Sequence, residues 1–506
     1  MTRRSLALAF LSGLLLTASF PNPGYSFLAW FALVPLLLAL RGLTVRAGLL
    51  LSFLVGLVFF SSTIYWVTNS IHVYGHVPLL PAALITLLFS AILALFIAPF
   101  GAVIVHIRAT RPGIVVLAAP AVWVTLELAR THLFSGFPWA LAGYSQYQAL
   151  PVIQVADLTG VYGISFVIVL VNTAITELIS GGKRIAPLLT ASVVLLAVLG
   201  YGYHRLNAET GSGGIRVTVM QGNIEQDKKW DPAYQSEVIA TYKRLTRRAI
   251  EQKPDLVIWP ETATPFYFEG TDDPYPALTD DLRRFVRSTG TPLLTGSPTY
   301  EKKERRHLLR NSAFLLERDG TTKTVYHKIH LVPFGEYVPL KKSLLFFVEK
   351  MVQSVGDFQP GTEYTVMKVR LPSGKDVAMG TVICYEIIFP DLVRRFVNEG
   401  ATVITNVTND AWFGRTGAPY QHFSMAVLRA VENRVPIARA ANTGISGFID
   451  ANGRILDTSG IFTEAHLTRT LVPGSITTFY TRYGDVFAWM CALGAILAVI
   501  PLPRSK

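Results

Sequence analysis

Of the two cysteines in 506 residues, Cys491 lies in an apolar stretch near the end of the chain and reads as a small core hydrophobe. Cys384 closes the β-branched run GTVIC. Two cysteines so placed make no disulfide framework, which leaves Cys384 as the lone thiol of its domain. Taken alone, such a thiol reads either as an inert buried side chain or as a nucleophile. With a reference pKa of about 8.5, it needs a base or a positive charge close by to react at neutral pH. The chain offers both: Glu261 follows LVIWP at a strand end, and Lys328 sits in the otherwise apolar VYHKIHL. A carboxylate to take a proton, an ammonium to hold negative charge and a thiol to attack are the parts of a covalent acyl-transfer relay. His327 and His330 flank Lys328 without the spacing of a metal cluster, so neither metal nor cofactor is expected.

These side chains need rigid elements to hold them. Ile215 to Met220, Asp255 to Trp259, Val377 to Cys384 and Ala401 to Asn406 have the composition of buried strands. Tyr234 to Gln252, Thr279 to Thr289, Phe389 to Glu399 and Gln421 to Asn433 have the period of helices. Strands alternating with helices predict an α/β layered domain, and Glu261 and Cys384 fall where its strands end, the usual place for chemistry in such folds.

The rest of the chain has a different solvent. The composition is 51% hydrophobic and only 16% charged, where soluble domains average about 25% charged. Residues 1 to 204 hold nine basic side chains (Arg3, Arg4, Arg41, Arg46, Arg108, Arg111, Arg130, Lys183, Arg184) and three acidic ones (Glu127, Asp157, Glu177). With 46 basic and 34 acidic residues in all, 68 of the 80 charges fall after residue 204. The net charge of +12 contains no Lys/Arg block of the kind that binds nucleic acid, and no nucleic-acid partner is expected.

Apolar runs predict about eight membrane spans: two within Ser5 to Leu40, two within Ala47 to Ile107, then Gly113 to Leu128, Val161 to Ile179, Ala186 to His204 and Val486 to Leu502. Arg3-Arg4 followed by an apolar run and small residues also fits a cleaved leader. Basic residues gather in every second connection, which places those connections in the cytoplasm and the segment after residue 204 outside. The expected division is 1–204 (seven spans), an outer α/β domain over 205–484, and a last span with a cytoplasmic tail over 485–506. Phe134, Phe137, Trp139, Tyr144 and Tyr147 crowd the connection from Thr131 to Asp157, which reads as an aromatic anchor belt or as a lipid-binding wall. The apolar Leu344 to Val348, between Lys341-Lys342 and Glu349-Lys350, reads as a lid at the bilayer surface or as a core helix.

The motifs WPE (Trp259 to Glu261), YHKIHLVPFGEYVP (Tyr326 to Pro339) and CYE (Cys384 to Glu386) resemble the Glu-Lys-Cys triad of the nitrilase, or carbon-nitrogen hydrolase, superfamily. With QGNI (Gln221 to Ile224), KWDP (Lys229 to Pro232), GFPW (Gly136 to Trp139) and the spans, the whole chain is similar to its membrane-embedded branch, the bacterial apolipoprotein N-acyltransferases. That resemblance implies a nitrilase-like αββα sandwich on the periplasmic face of the inner membrane, acting as a monomer. It also implies acyl transfer from a phospholipid, through a thioester, to the α-amino group of an apolipoprotein's S-diacylglyceryl cysteine. Glu261 would be the proton acceptor, Lys328 the oxyanion-stabilising cation and Cys384 the nucleophile, with Trp230, Glu336, Tyr385 and Glu386 in support.

Overall fold

The computed structural model describes every residue except 182–184, 209–212, 230, 270–274, 304–305, 339–357 and 501–506. The chain divides into two compact units. One comprises Met1–Ala208, Thr416–Glu432 and Thr478–Lys506; the other comprises Glu209–Arg415 and Asn433–Thr477. Residues 416–432 and 478–484, expected with the α/β domain, therefore lie with the apolar helices.

Among the described residues of the first unit, five helices are long and apolar enough to cross a membrane: Val45–Thr63, Leu79–Thr110, Pro112–His132, Val161–Ile179 and Ala186–Leu206. The other three expected spans are shorter. Arg3–Ala18 has 16 residues and Val486–Val499 has 14, below the length of about 20 that a bilayer asks for. The span expected before Leu40 is broken at Phe31 to Leu33 into a 3-10 turn, Ser26–Trp30, and a six-residue helix, Val34–Ala39.

The aromatic connection is not a surface belt throughout. Trp139 and Tyr144 are buried, whereas Phe134 is exposed. The Trp139 indole N–H donates to Gln421 at 2.7 Å, and the Tyr144 hydroxyl accepts from Arg429 at 2.9 Å. Both partners belong to the helix Ala418–Asn433, which thus gives its polar side chains to the membrane unit. Arg429 also pairs with Glu432 at 2.9 Å, and both side chains are fully buried.

Among the described residues, twelve strands build the second unit: β1 (Ile215–Gln221), β2 (Leu256–Ile258), β3 (Leu293–Lys303), β4 (Arg306–Leu316), β5 (Thr322–His327), β6 (Val366–Arg370), β7 (Asp376–Ile383), β8 (Val403–Thr408), β9 (Ile437–Ala441), β10 (Gly447–Ile449), β11 (Ile455–Thr458) and β12 (Ala465–Leu471). They form two six-stranded sheets, β12-β1-β2-β3-β4-β5 and β11-β10-β9-β8-β7-β6. In each sheet the middle is parallel (β1-β2-β3 and β7-β8-β9) and the flanks are antiparallel. The helices Gln235–Ala249 and Pro276–Thr289 place Tyr242, Leu245, Leu282 and Phe285 in one apolar core with Val257 and Trp259 of the first sheet's β2 region. On the second sheet, Phe396 of the helix Pro390–Asn398 packs so closely on Gly380 of β7 that a Cβ there would lie 2.7 Å from it. The parallel middle aims the ends of β2 and β7 the same way along their sheets, and those ends carry Glu261 and Cys384.

Removing one partner of a buried ion pair strands the other charge, at a cost of about 3–5 kcal/mol. Glu432→Ala is expected to destabilise the protein by about that much, read as a large fall in the thermal midpoint of the detergent-solubilised chain. The half-exposed pair Arg244–Glu464, truncated as Glu464→Ala, should cost less than about 1 kcal/mol.

Candidate active site

Cys384 is the first residue after β7 and has a φ of +53°, the left-handed region that non-glycine residues enter only where their surroundings hold them. The chain turns there from strand into the short 3-10 helix Cys384–Ile388. Glu386, two residues on, fixes this turn by accepting from the Ile383 N–H at 2.7 Å. Its other oxygen accepts from the Tyr326 hydroxyl (2.8 Å) and from the N–H groups of Ile329 (2.7 Å) and His330 (3.0 Å). One buried carboxylate therefore clamps the turn of Cys384 to the segment on either side of Lys328, across the two sheets. Burial pushes the Glu386 carboxyl up to about 7, against the pull of these donors.

Glu261 lies three residues past β2, and the next residue, Thr262, is again left-handed with a φ of +51°. One oxygen of Glu261 accepts from Asn311 Nδ2 of β4 and the other from the Asn409 N–H just after β8, both at 2.8 Å. The same Asn311 Nδ2 donates to Glu336 at 2.8 Å. Lys328, only 1% exposed, contacts Glu336 at 2.8 Å and Glu261 at 3.8 Å. Burial alone would lower the Lys328 ammonium, but Glu336, Glu261 and Cys384 together raise it above the ordinary lysine range. Lys328 is thus a fixed positive charge at any working pH. The thiol of Cys384 is raised, first by burial and then by Glu261, with Lys328 pulling the other way. Such a thiol rests protonated and reacts only as its proton is removed.

The expected residues thus meet: Glu261, Lys328 and Cys384 share one buried cluster with Glu336 beside the lysine and Glu386 beneath the loop. Tyr385 stands next to it, its ring packed on Phe389 and His330. His327 hydrogen-bonds Ser312 at 2.8 Å and His330 lies over Phe389 at 3.8 Å, so the two histidines have separate surroundings. Trp230 and the apolar Leu344 to Val348 fall outside the described residues. Three members of the cluster were not marked by sequence. Asn311 and Asn409 are plain amides within or just after strands, with no motif to flag them. Lys229 stands in KWDP, yet nothing in that string says that its ammonium is buried against Glu261.

The family model for the apolipoprotein N-acyltransferase N-terminal domain matches residues 12–174, and that for carbon-nitrogen hydrolase matches residues 216–480. An apolipoprotein N-acyltransferase of Geobacter metallireducens is 45% identical, covering 100% of this chain and 96% of its own. The chain belongs to the apolipoprotein N-acyltransferase family. Another enzyme of that name, from Methylococcus capsulatus, is 34% identical over 95% of this chain and 93% of its own. Among solved structures, an amidase mutant of Nesterenkonia sp. AN1 with an acetamide moiety on its active-site cysteine is 21% identical, at a TM-score of 0.39 over 53% of this chain and 94% of that one. As a member of the apolipoprotein N-acyltransferase family, the chain is a multi-pass membrane acyltransferase with a nitrilase-like α/β domain of two sheets.

The turn that carries Glu261 leaves no slack. A Cβ added at Gly296 of β3 would lie 2.7 Å from Glu261 Cα and 2.8 Å from both Pro260 O and Thr262 N. Gly296→Ala is expected to displace this backbone and cut activity about 100-fold, the usual effect of a misplacement of about 1 Å. Its stability loss should be about 1–3 kcal/mol, so folded protein remains for the activity assay.

Proposed function

We propose that the cluster transfers an acyl chain from a membrane phospholipid to the α-amino group of an apolipoprotein's N-terminal S-diacylglyceryl cysteine, through a thioester on Cys384. The observation that carries this reading is the meeting of a half-buried thiol, a buried hydrogen-bonded carboxylate and a buried ammonium paired with it at strand ends in one site.

In the first half-reaction Cys384 Sγ attacks the ester carbonyl carbon while its proton passes to Glu261. Lys328 holds the negative charge that develops on the carbonyl oxygen, a contribution worth about 3–4 kcal/mol for a well-placed donor. The carbon-oxygen bond then breaks, Glu261 returns the proton to the departing lysophospholipid oxygen, and the thioester remains. In the second half-reaction the acceptor amine attacks the thioester carbonyl, gives a proton to Glu261 and forms the amide. The thiol leaves and takes that proton back. An α-amino group with a pKa of about 8 is partly neutral at pH 7 and needs little help to become a nucleophile. No step requires a metal or a cofactor.

Glu336 supports Lys328 and Glu386 sets the turn, so both are positioning residues; Tyr385 is assigned to the site's wall, and Trp230 keeps the supporting role that the family resemblance implies. The membrane part is built on residues 1–204 and 485–506 and takes in 416–432 and 478–484; the catalytic part is the rest of 205–484, and the asymmetry of basic residues supports a place for it on the periplasmic face of a bacterial inner membrane. The unit of function is the monomer.

The test is incubation of the purified protein with labelled phospholipid and no acceptor. Mass spectrometry should show one acyl adduct, on the peptide bearing Cys384, with release of lysophospholipid. Glu261→Gln and Lys328→Met should each slow adduct formation by at least about 100-fold. An adduct on any other residue, or normal turnover by Cys384→Ser, would refute the covalent scheme.

A further inference from the structure

A second lysine is buried in the same site, and the relay does not use it. Lys229 ends the short helix Gln226–Lys229 and is 0% exposed. Its ammonium donates to the backbone carbonyl of Glu261 at 2.8 Å. Fully buried lysines are rare unless they answer a charge. The charges within reach of Lys229 are Glu261, from the turn after β2, and Cys384, from the end of β7. On the far side of Glu261 stand Lys328 and Glu336.

A charge count shows what is missing without it. Asp410, which also acts on Cys384, is matched by the buried Arg439 at 2.8 Å. Glu386 is matched by four hydrogen-bond donors. Glu261 and Glu336 remain, and they share the single ammonium of Lys328, which lies closer to Glu336 (2.8 Å) than to Glu261 (3.8 Å); besides that, Glu261 has only the neutral donors Asn311 and Asn409. An ionised carboxylate in so little water needs its own counter-charge, or it takes up a proton and stops being a base.

We propose that Lys229 is the counter-charge that keeps Glu261 ionised, a positioning residue of the acylation step that works through the catalytic carboxylate. The inference rests on the thioester reading above. The burial that sets this role lowers Lys229 itself, to about 8, so its ammonium is present at neutral pH and is lost only above that. At such alkaline pH a carboxylate stays ionised without help. Lys229 therefore matters at neutral and acid pH.

The experiment is the pH profile of the acylation half-reaction alone, which keeps the acceptor amine's own titration out of the measurement. Purified full-length protein and labelled phospholipid in mixed micelles are followed for the single-turnover burst of lysophospholipid between about pH 5.5 and 9.5, a window spanning the carboxylate and lysine titrations. In Lys229→Gln, which keeps a hydrogen-bond donor, and in Lys229→Met, the acid limb should move up by at least about one pH unit. The burst rate should then be about tenfold or more below wild type at pH 6.5 and return towards wild type near pH 9. Lys229→Arg should keep the wild-type limb. A loss equal at every pH, an unmoved acid limb, or failure of both neutral variants to fold would assign Lys229 to structure and overturn the proposal. A wild-type protein that gave no burst would instead refute the thioester reading, and this inference with it.

Discussion

Buried charge is the constraint around which the catalytic unit is built. Glu261, Lys328, Glu386, Lys229, Asp410 and Arg439 are all within a few per cent of complete burial, and a charge removed from water is tolerated only where partners replace the lost hydration. The partners come from both sheets. Glu261 hangs from β2, yet its two oxygens are held by Asn311 of β4 in one sheet and by Asn409 after β8 in the other. Glu386 follows β7 and reaches Tyr326, Ile329 and His330 around the end of β5. If the sheets moved apart, Glu261 would lose one of these two donors and Glu386 three of its four. The same bonds that make the charges tolerable tie the turn of Cys384 and the turn of Glu261 to both sheets.

That coupling explains the backbone geometry. Cys384 and Thr262 both adopt left-handed conformations that cost a non-glycine residue about 1–2 kcal/mol. The carboxylate clamps hold both turns, so the strain is stored where the reacting groups must point away from their strands. Two elements of rigid parallel sheet thereby deliver a thiol and a carboxylate to one point while a lysine arrives from a third strand. The membrane unit adds a polar interior of its own. The helix Ala418–Asn433 arises between β8 and β9 but commits Gln421, Arg429 and Glu432 to Trp139, Tyr144 and the Val161 N–H.

Much of this is written in residue patterns, and the omissions have physical causes. Strands β1, β2, β7 and β8 are almost wholly buried and read as continuous apolar or β-branched runs. β3 does not, since Pro298 interrupts its apolar run. β11 is four largely exposed residues that only pairing with β10 makes a strand. Glu261, Lys328 and Cys384 could be singled out because a charge or a thiol in an apolar run has few uses. Asn311 and Lys229 could not, because their roles depend on which distant carboxylate the fold sets against them. Hydropathy alone cannot see that Phe31 to Leu33 break one run or that the last helix has only 14 residues.

The central claim is that one buried cluster passes an acyl chain through a thioester to an amine and does not lose it to water. The most direct measurement isolates the acyl-protein and chases it with an S-diacylglyceryl-cysteine peptide under single-turnover conditions, following label in protein, amide and free fatty acid together. The account predicts that label leaves Cys384 at the rate at which amide appears, and that the thioester persists when no amine is added. Decay to free fatty acid at the same rate with or without the peptide would contradict it.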